Sequence, residues 1–142
     1  AAEITDRLIA ELRTGNYDHA RVNYANGDMV GHTGHLDATI TAVECVDLCL
    51  GRLLPVIEAM GGVMIVTADH GNADHMIDKG KPRTSHSLNA VPCVIYDPRF
   101  EGGPALANVD NRGLGNLAAT VLDLMGLPVP PDYLPSLLVP PG

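Results

Sequence analysis

The sequence contains no tryptophan, one phenylalanine and four tyrosines. It therefore has little from which to build the aromatic platforms that stack nucleic-acid bases. Basic residues are scarce too: 9 Lys and Arg stand against 17 Asp and Glu, a formal net charge of −8. A surface of that sign repels phosphate backbones, so no nucleic-acid partner is expected. No apolar run approaches the roughly 20 residues of a membrane-crossing helix, so no membrane partner is expected either. Cysteine is limited to Cys45, Cys49 and Cys93. Cys45 and Cys49 lie one helical turn apart rather than at C-x-x-C spacing, and all three read as small buried hydrophobes of a reducing, cytoplasmic setting. The first twelve residues carry Glu3, Asp6, Arg7 and Glu11 and no apolar block, which is unlike a signal peptide.

What is present has the periodicity of a globular domain. The 142 residues are 46% hydrophobic, enough for one domain with a core of its own. Ile4, Leu8, Ile9 and Leu12 recur at helical spacing before Gly15, which predicts a helix over residues 3–14. Val22 and Tyr24 suggest a strand over 20–24, and Asn26-Gly27-Asp28 suggests a turn. Leu36, Ile40, Val43, Val46, Leu50, Leu53, Leu54 and Ile57 form a long apolar stripe with Pro55 inside it, so a long helix is expected to kink or stop near that proline. Val63–Val66 and Val91–Tyr96 read as buried strands. Leu117, Val121, Leu124 and Met125 predict a last helix closed by Gly126, and the proline-rich residues 128–142 predict an extended tail. The order of elements predicts an α/β fold with a mainly parallel sheet flanked by helices.

In such folds ligands gather where strands give way to loops. Three predicted loops stand out: Asn26–Gly34 with Asp28 and His32, Thr67–Asn72 with Asp69 and His70, and Thr84–Ser87 with His86. Carboxylate and imidazole together suit a borderline divalent ion such as Mn²⁺ or Zn²⁺, whereas calcium would call for more oxygens. Helix caps and turns would account for Asp28, but they leave the three histidines unexplained. His19 and His35 read as surface residues, and His75 as a neighbour of the site that does not ligate. Arg83, Arg99 and Arg112 read as solvated.

The stretches Asp28-Met29-Val30-Gly31-His32-Thr33-Gly34 and Thr67-Ala68-Asp69-His70-Gly71-Asn72-Ala73 resemble cofactor-independent (2,3-bisphosphoglycerate-independent) phosphoglycerate mutases of the alkaline phosphatase superfamily. So do Val43–Asp47, running into Cys49–Arg52, and Thr84–Pro92. The resemblance covers about residues 17–135 and corresponds to the C-terminal portion of the metal-binding phosphatase-type domain. It implies an alkaline-phosphatase-like fold, incomplete without the N-terminal part and the inserted transferase domain. It also implies two divalent metal ions, manganese in preference to zinc. Asp28, His32 and His86 would hold one ion, and Asp69 and His70 would contribute to the second. The nucleophilic serine and most substrate-binding residues would lie upstream. Gly27 and Ala90 stand where the family usually carries proline, and neither change removes a ligand.

The activity implied is the interconversion of 3-phosphoglycerate and 2-phosphoglycerate through a phosphoserine, in glycolysis and gluconeogenesis, by an enzyme that is itself a monomer. The 142 residues alone would be inactive and would self-associate through apolar surface left uncovered. Two other readings remain open at this point: a phosphopentomutase or phosphodiesterase of the same superfamily, and a metal-binding module with no catalytic partner.

Overall fold

The computed structural model describes residues 1–139. Four α-helices carry most of the regular structure: α1 (Ala2–Leu12), α2 (Asn26–Gly31), α3 (Leu36–Ala59) and α4 (Leu117–Leu124). The strands are short: β1 (Met64–Thr67), β2 (Ile77–Asp78), β3 (Lys81–Pro82) and β4 (Cys93–Tyr96). β1 pairs with β4, and β2 pairs antiparallel with β3 around the Lys79-Gly80 turn. The chain forms two compact units, residues 1–60 with 67–93, and residues 61–66 with the segment from Val94 onward.

In the first unit α1 and α2 pack on α3. The expected strand over 20–24 is absent from the ladders of the described residues. Tyr24 explains why: its hydroxyl pairs with Oγ1 of the buried Thr5 at 2.7 Å, so this segment is held by α1 instead of a neighbouring strand. Asp6 and Arg52 form an ion pair that joins α1 to α3. The Asn26-Gly27-Asp28 turn is the start of a helix, α2, with Asp28 in its first turn, where a carboxylate favours the helix dipole.

α3 continues to Ala59 through Pro55. The carbonyl that loses its i+4 partner is that of Gly51, an exposed residue. The apolar stripe of this helix is buried only in its second half. Cys49 and Leu53 are each 3% exposed, while Leu36, Ile40 and Val43 are 41–47% exposed. Cys93 departs from the expected burial of the cysteines and is exposed, as are Val94 of β4 and Thr67 of β1.

In the second unit, buried Asn116 organises the start of α4. Its Oδ1 accepts from the Gly113 amide at 2.9 Å, and its Nδ2 donates to the Pro135 carbonyl at 2.8 Å. Thr120 Oγ1 accepts from the Leu137 amide at 3.0 Å. The tail is thereby tied down as far as Leu138, which bridges to Leu106. Its last three residues lie outside the described region. Gly126 ends α4 with φ +68, as the glycine stop predicts.

Candidate metal centre

Four side chains from three segments of the first unit meet around one oxygen, Oδ1 of Asp28. His86 Nε2 lies 3.1 Å from it, His32 Nε2 3.3 Å and His70 Nδ1 4.0 Å. Asp28 and His32 are four residues apart on α2 and its C-terminal cap. One helical turn therefore stacks them on the same face. Gly34, with φ +71, then reverses the chain and leaves room for Pro82 and Thr84, whose carbons would sit 3.1 Å from a Cβ at this position. Through that approach Thr84 accepts a hydrogen bond from His32 Nδ1 at 2.6 Å. Since a carbonyl can only accept, His32 carries a proton on Nδ1 and turns its Nε2 toward Asp28 and toward His86 Nε2, 3.2 Å away.

The ring of His86 stacks on that of His70 with centroids 3.6 Å apart. Arg83, expected to be solvated, instead braces the His86 loop. Its Nη2 donates to the His86 carbonyl at 2.8 Å and its Nη1 to His75 Nδ1 at 3.3 Å. The His75 ring therefore touches the cluster through Arg83, while its amide donates to the Asn72 carbonyl at 3.1 Å. His19 and His35 are exposed, as expected of surface residues. Asp69 lies at the margin: its side chain is 79% exposed, with Oδ1 3.7 Å from His70 Nε2.

Residues that the motif reading passed over hold these loops in place. Asn72 Nδ2 donates to Asp28 Oδ1 at 2.9 Å. Asp74 accepts from Ser87 Oγ at 2.9 Å and from Asn89 Nδ2 at 2.6 Å, and the Ser87 amide donates to the Gly71 carbonyl at 2.8 Å. The signal for them in the sequence was proximity: Asn72, Asp74 and Ser87 each sit within four residues of a candidate ligand. The Asn72 hydrogen bond holds the Asp28 carboxyl below its ordinary range against the opposing effect of burial, and His32, His86 and His70 add to the lowering. The Asn89 bond acts likewise on Asp74.

Asp28 Oδ1 and His32 Nε2 face each other across 3.3 Å, close enough to share a proton or a metal cation. Asp28, His70 and His86 place one donor atom each within 4.8 Å of one another, with His32 beside them. Nitrogen and carboxylate donors at this density suit a borderline divalent ion.

A family model described as the metalloenzyme superfamily matches residues 1–129. The chain belongs to that superfamily. Within it the chain is similar to the 2,3-bisphosphoglycerate-independent phosphoglycerate mutase of Rhodopirellula baltica, at 48% identity over 93% of this chain and 24% of that protein. It is 43% identical to the enzyme of the same name from Trypanosoma brucei brucei, over 96% of this chain and 27% of the relative. Among solved structures it superposes on a phosphoglycerate mutase of Leishmania mexicana, crystallised at low cobalt concentration, with TM-score 0.87 and 44% identity. That match covers 97% of this chain and 28% of the other. The chain thus spans about a quarter of the length of the relatives it matches, and its α/β elements are those of the phosphoglycerate mutase fold.

Proposed function

We propose that these residues form the C-terminal part of the phosphatase-type domain of a phosphoglycerate mutase that interconverts 3-phosphoglycerate and 2-phosphoglycerate with two divalent ions, manganese in preference to zinc. The observation that carries this reading is the convergence of three imidazoles on Asp28 Oδ1 in a chain whose curated relatives bear that enzyme's name. Asp28, His32 and His86 would hold one ion. Asp69 and His70 would offer ligands to the second, with His70 close to both groups. Divalent ions in these positions would neutralise charge on a transferring phosphoryl group and lower the pKa of an attacking hydroxyl.

The chain's own part is to bring the Asp28 carboxylate and the imidazoles together before any ion arrives. Thr84 sets the proton on His32, Asn72 keeps Asp28 charged, and Arg83 anchors the backbone of His86. All of these donors must be free of protons to ligate, so binding releases protons and weakens as pH falls. Ser87, beside His86, is buried and committed to Asp74, so it is not placed to serve as nucleophile.

The test is a chimera in which the 142 residues replace the matching segment of the Rhodopirellula baltica mutase, assayed with manganese and 3-phosphoglycerate. Turnover by the chimera and none by the 142 residues alone is the expected result. A folded, metal-loaded chimera without mutase turnover would overturn the proposal.

A further inference from the structure

Asn72 is 5% exposed, and its amide reaches across from the loop after β1 to the helix that carries Asp28 and His32. Its Nδ2 meets Asp28 twice, donating to the side-chain Oδ1 at 2.9 Å and to the main-chain oxygen at 3.3 Å. Both of those atoms are acceptors. The amide nitrogen must therefore face Asp28, and the amide oxygen must point the other way. There it has no hydrogen-bond partner among the described residues, although it is fully buried. A buried acceptor without a donor is a cost that folds usually avoid. Here it is imposed by the placement of the nitrogen.

The helix is also shaped around this amide. Gly31, itself buried, lies flat against it. A Cβ at Gly31 would come within 2.5 Å of Asn72 Oδ1 and 2.9 Å of Cγ. Two residues after His70, and one turn along α2 from Asp28, the same amide thus touches both segments that supply the candidate ligands.

We infer that Asn72 is a positioning residue for the metal centre: seated against Gly31, it aims Oδ1 of Asp28 at the imidazoles and yokes the Asp28–His32 helix to the Asp69–His70 loop. The inference rests on the proposed metal site and names a device within it. Asn72 donates to the ligand oxygen and touches no ion itself. Its contribution is to keep that oxygen from rotating away and to hold the spacing between the two ligand pairs.

Titration calorimetry of the 142-residue chain with manganese chloride near pH 8 tests this, with circular dichroism and thermal unfolding of each metal-free protein as controls. Outer partners of metal ligands contribute about 10–100-fold in affinity, and a loss in that range is expected for Asn72→Asp. That variant keeps the shape of the side chain, removes the donor and adds a negative charge. A merely electrostatic or space-filling role would leave affinity equal or raise it, and either result would overturn the inference. Gly31→Ala should weaken binding as well, by dislodging the amide. In Gly31→Ala with Asn72→Ala the added methyl should cost nothing beyond Asn72→Ala alone, because no amide remains to be displaced. Fully additive losses would count against the inference. Should Asn72→Asp lose its native dichroism, the Gly31 and Asn72→Ala pair decides the matter. If the parent chain binds no manganese, the site reading falls and this inference with it. If the parent binds and Asn72→Asp matches it, only the role of Asn72 falls.

Discussion

His32 donates from Nδ1 to the carbonyl oxygen of Thr84 at 2.6 Å, and this one bond decides which of its ring nitrogens faces Asp28. The Thr84 carbonyl belongs to the segment that presents His86, so the bond also brings His86 Nε2 to 3.2 Å from His32 Nε2. Tautomer and position are set together by a contact between two loops distant in sequence. A metal centre needs both, because an imidazole with the proton on the wrong nitrogen is a donor facing a cation.

His86→Ala removes the imidazole nitrogen nearest to Asp28 Oδ1. Loss of detectable manganese binding is expected in calorimetry near pH 8. His32→Ala should have the same effect, because it deletes both the inward Nε2 and the tie to Thr84. Retention of parental affinity by either variant would contradict the proposed ligand set.

Arg83 and His75 should differ in their effects although they touch. Arg83 holds the His86 carbonyl directly, whereas the His75 ring accepts from Arg83. Arg83→Ala should weaken manganese binding by about tenfold, the lower end of what outer partners contribute. His75→Ala should leave it nearly unchanged. Equal losses in the two variants would show that His75 has a more direct part.

Much of this was legible in the residues, and what escaped did so for physical reasons. The long stripe of α3 and the Gly126 stop are local signals, and they describe real helix and real termination. Val22 and Tyr24 also carry a local signal, that of a strand, but the hydroxyl of Tyr24 finds Thr5 and the segment forms no ladder. Asn26-Gly27-Asp28 has the chemistry of a turn and also that of a helix start, and the helical outcome is what places Asp28 and His32 on one face. The histidines stand out because three separate loops each offer one. Asn72 and Arg83 do not, since an amide and a guanidinium acquire their roles only from what the fold brings against them. Burial along α3 was equally hidden: periodicity identifies the apolar stripe, but not which half of it is covered.

Gly71 is a second place where the absence of a side chain matters. A Cβ there would overlap Ser87 Oγ and come within 2.5 Å of Asp74 Oδ1. The Gly71–Ser87 bridge holds the loop carrying His70 beside the loop carrying His86. Gly71→Ala should cost about 1–3 kcal/mol in thermal or urea unfolding, as overpacking of a tight site does, and it should weaken manganese binding as the two loops separate. A variant with parental stability and affinity would show that this bridge is dispensable.

Asp97 gives the second unit a dependence on pH whose sign follows from its surroundings. The carboxylate side chain is 1% exposed and accepts from Arg99 Nε at 2.8 Å and Nη2 at 2.5 Å, and from the Arg99 amide at 3.0 Å. These bonds, led by those of the guanidinium, hold its pKa below the ordinary value of 3.8 against the opposing effect of burial. The folded state therefore binds the proton less readily than the unfolded chain does. The resulting stability is fully present above the unfolded value of about 3.9, and it is lost as the solution is acidified through the folded value. Asp97→Asn keeps the shape but gives up the charge-assisted bonds, which should lower stability at neutral pH by about 1–3 kcal/mol. The gap between parent and variant in urea unfolding should close as pH falls below the carboxylate range, because protonation removes from the parent what the substitution removes from the variant. A gap that stayed constant down to the acid limit would show that the Arg99 clamp acts through shape alone.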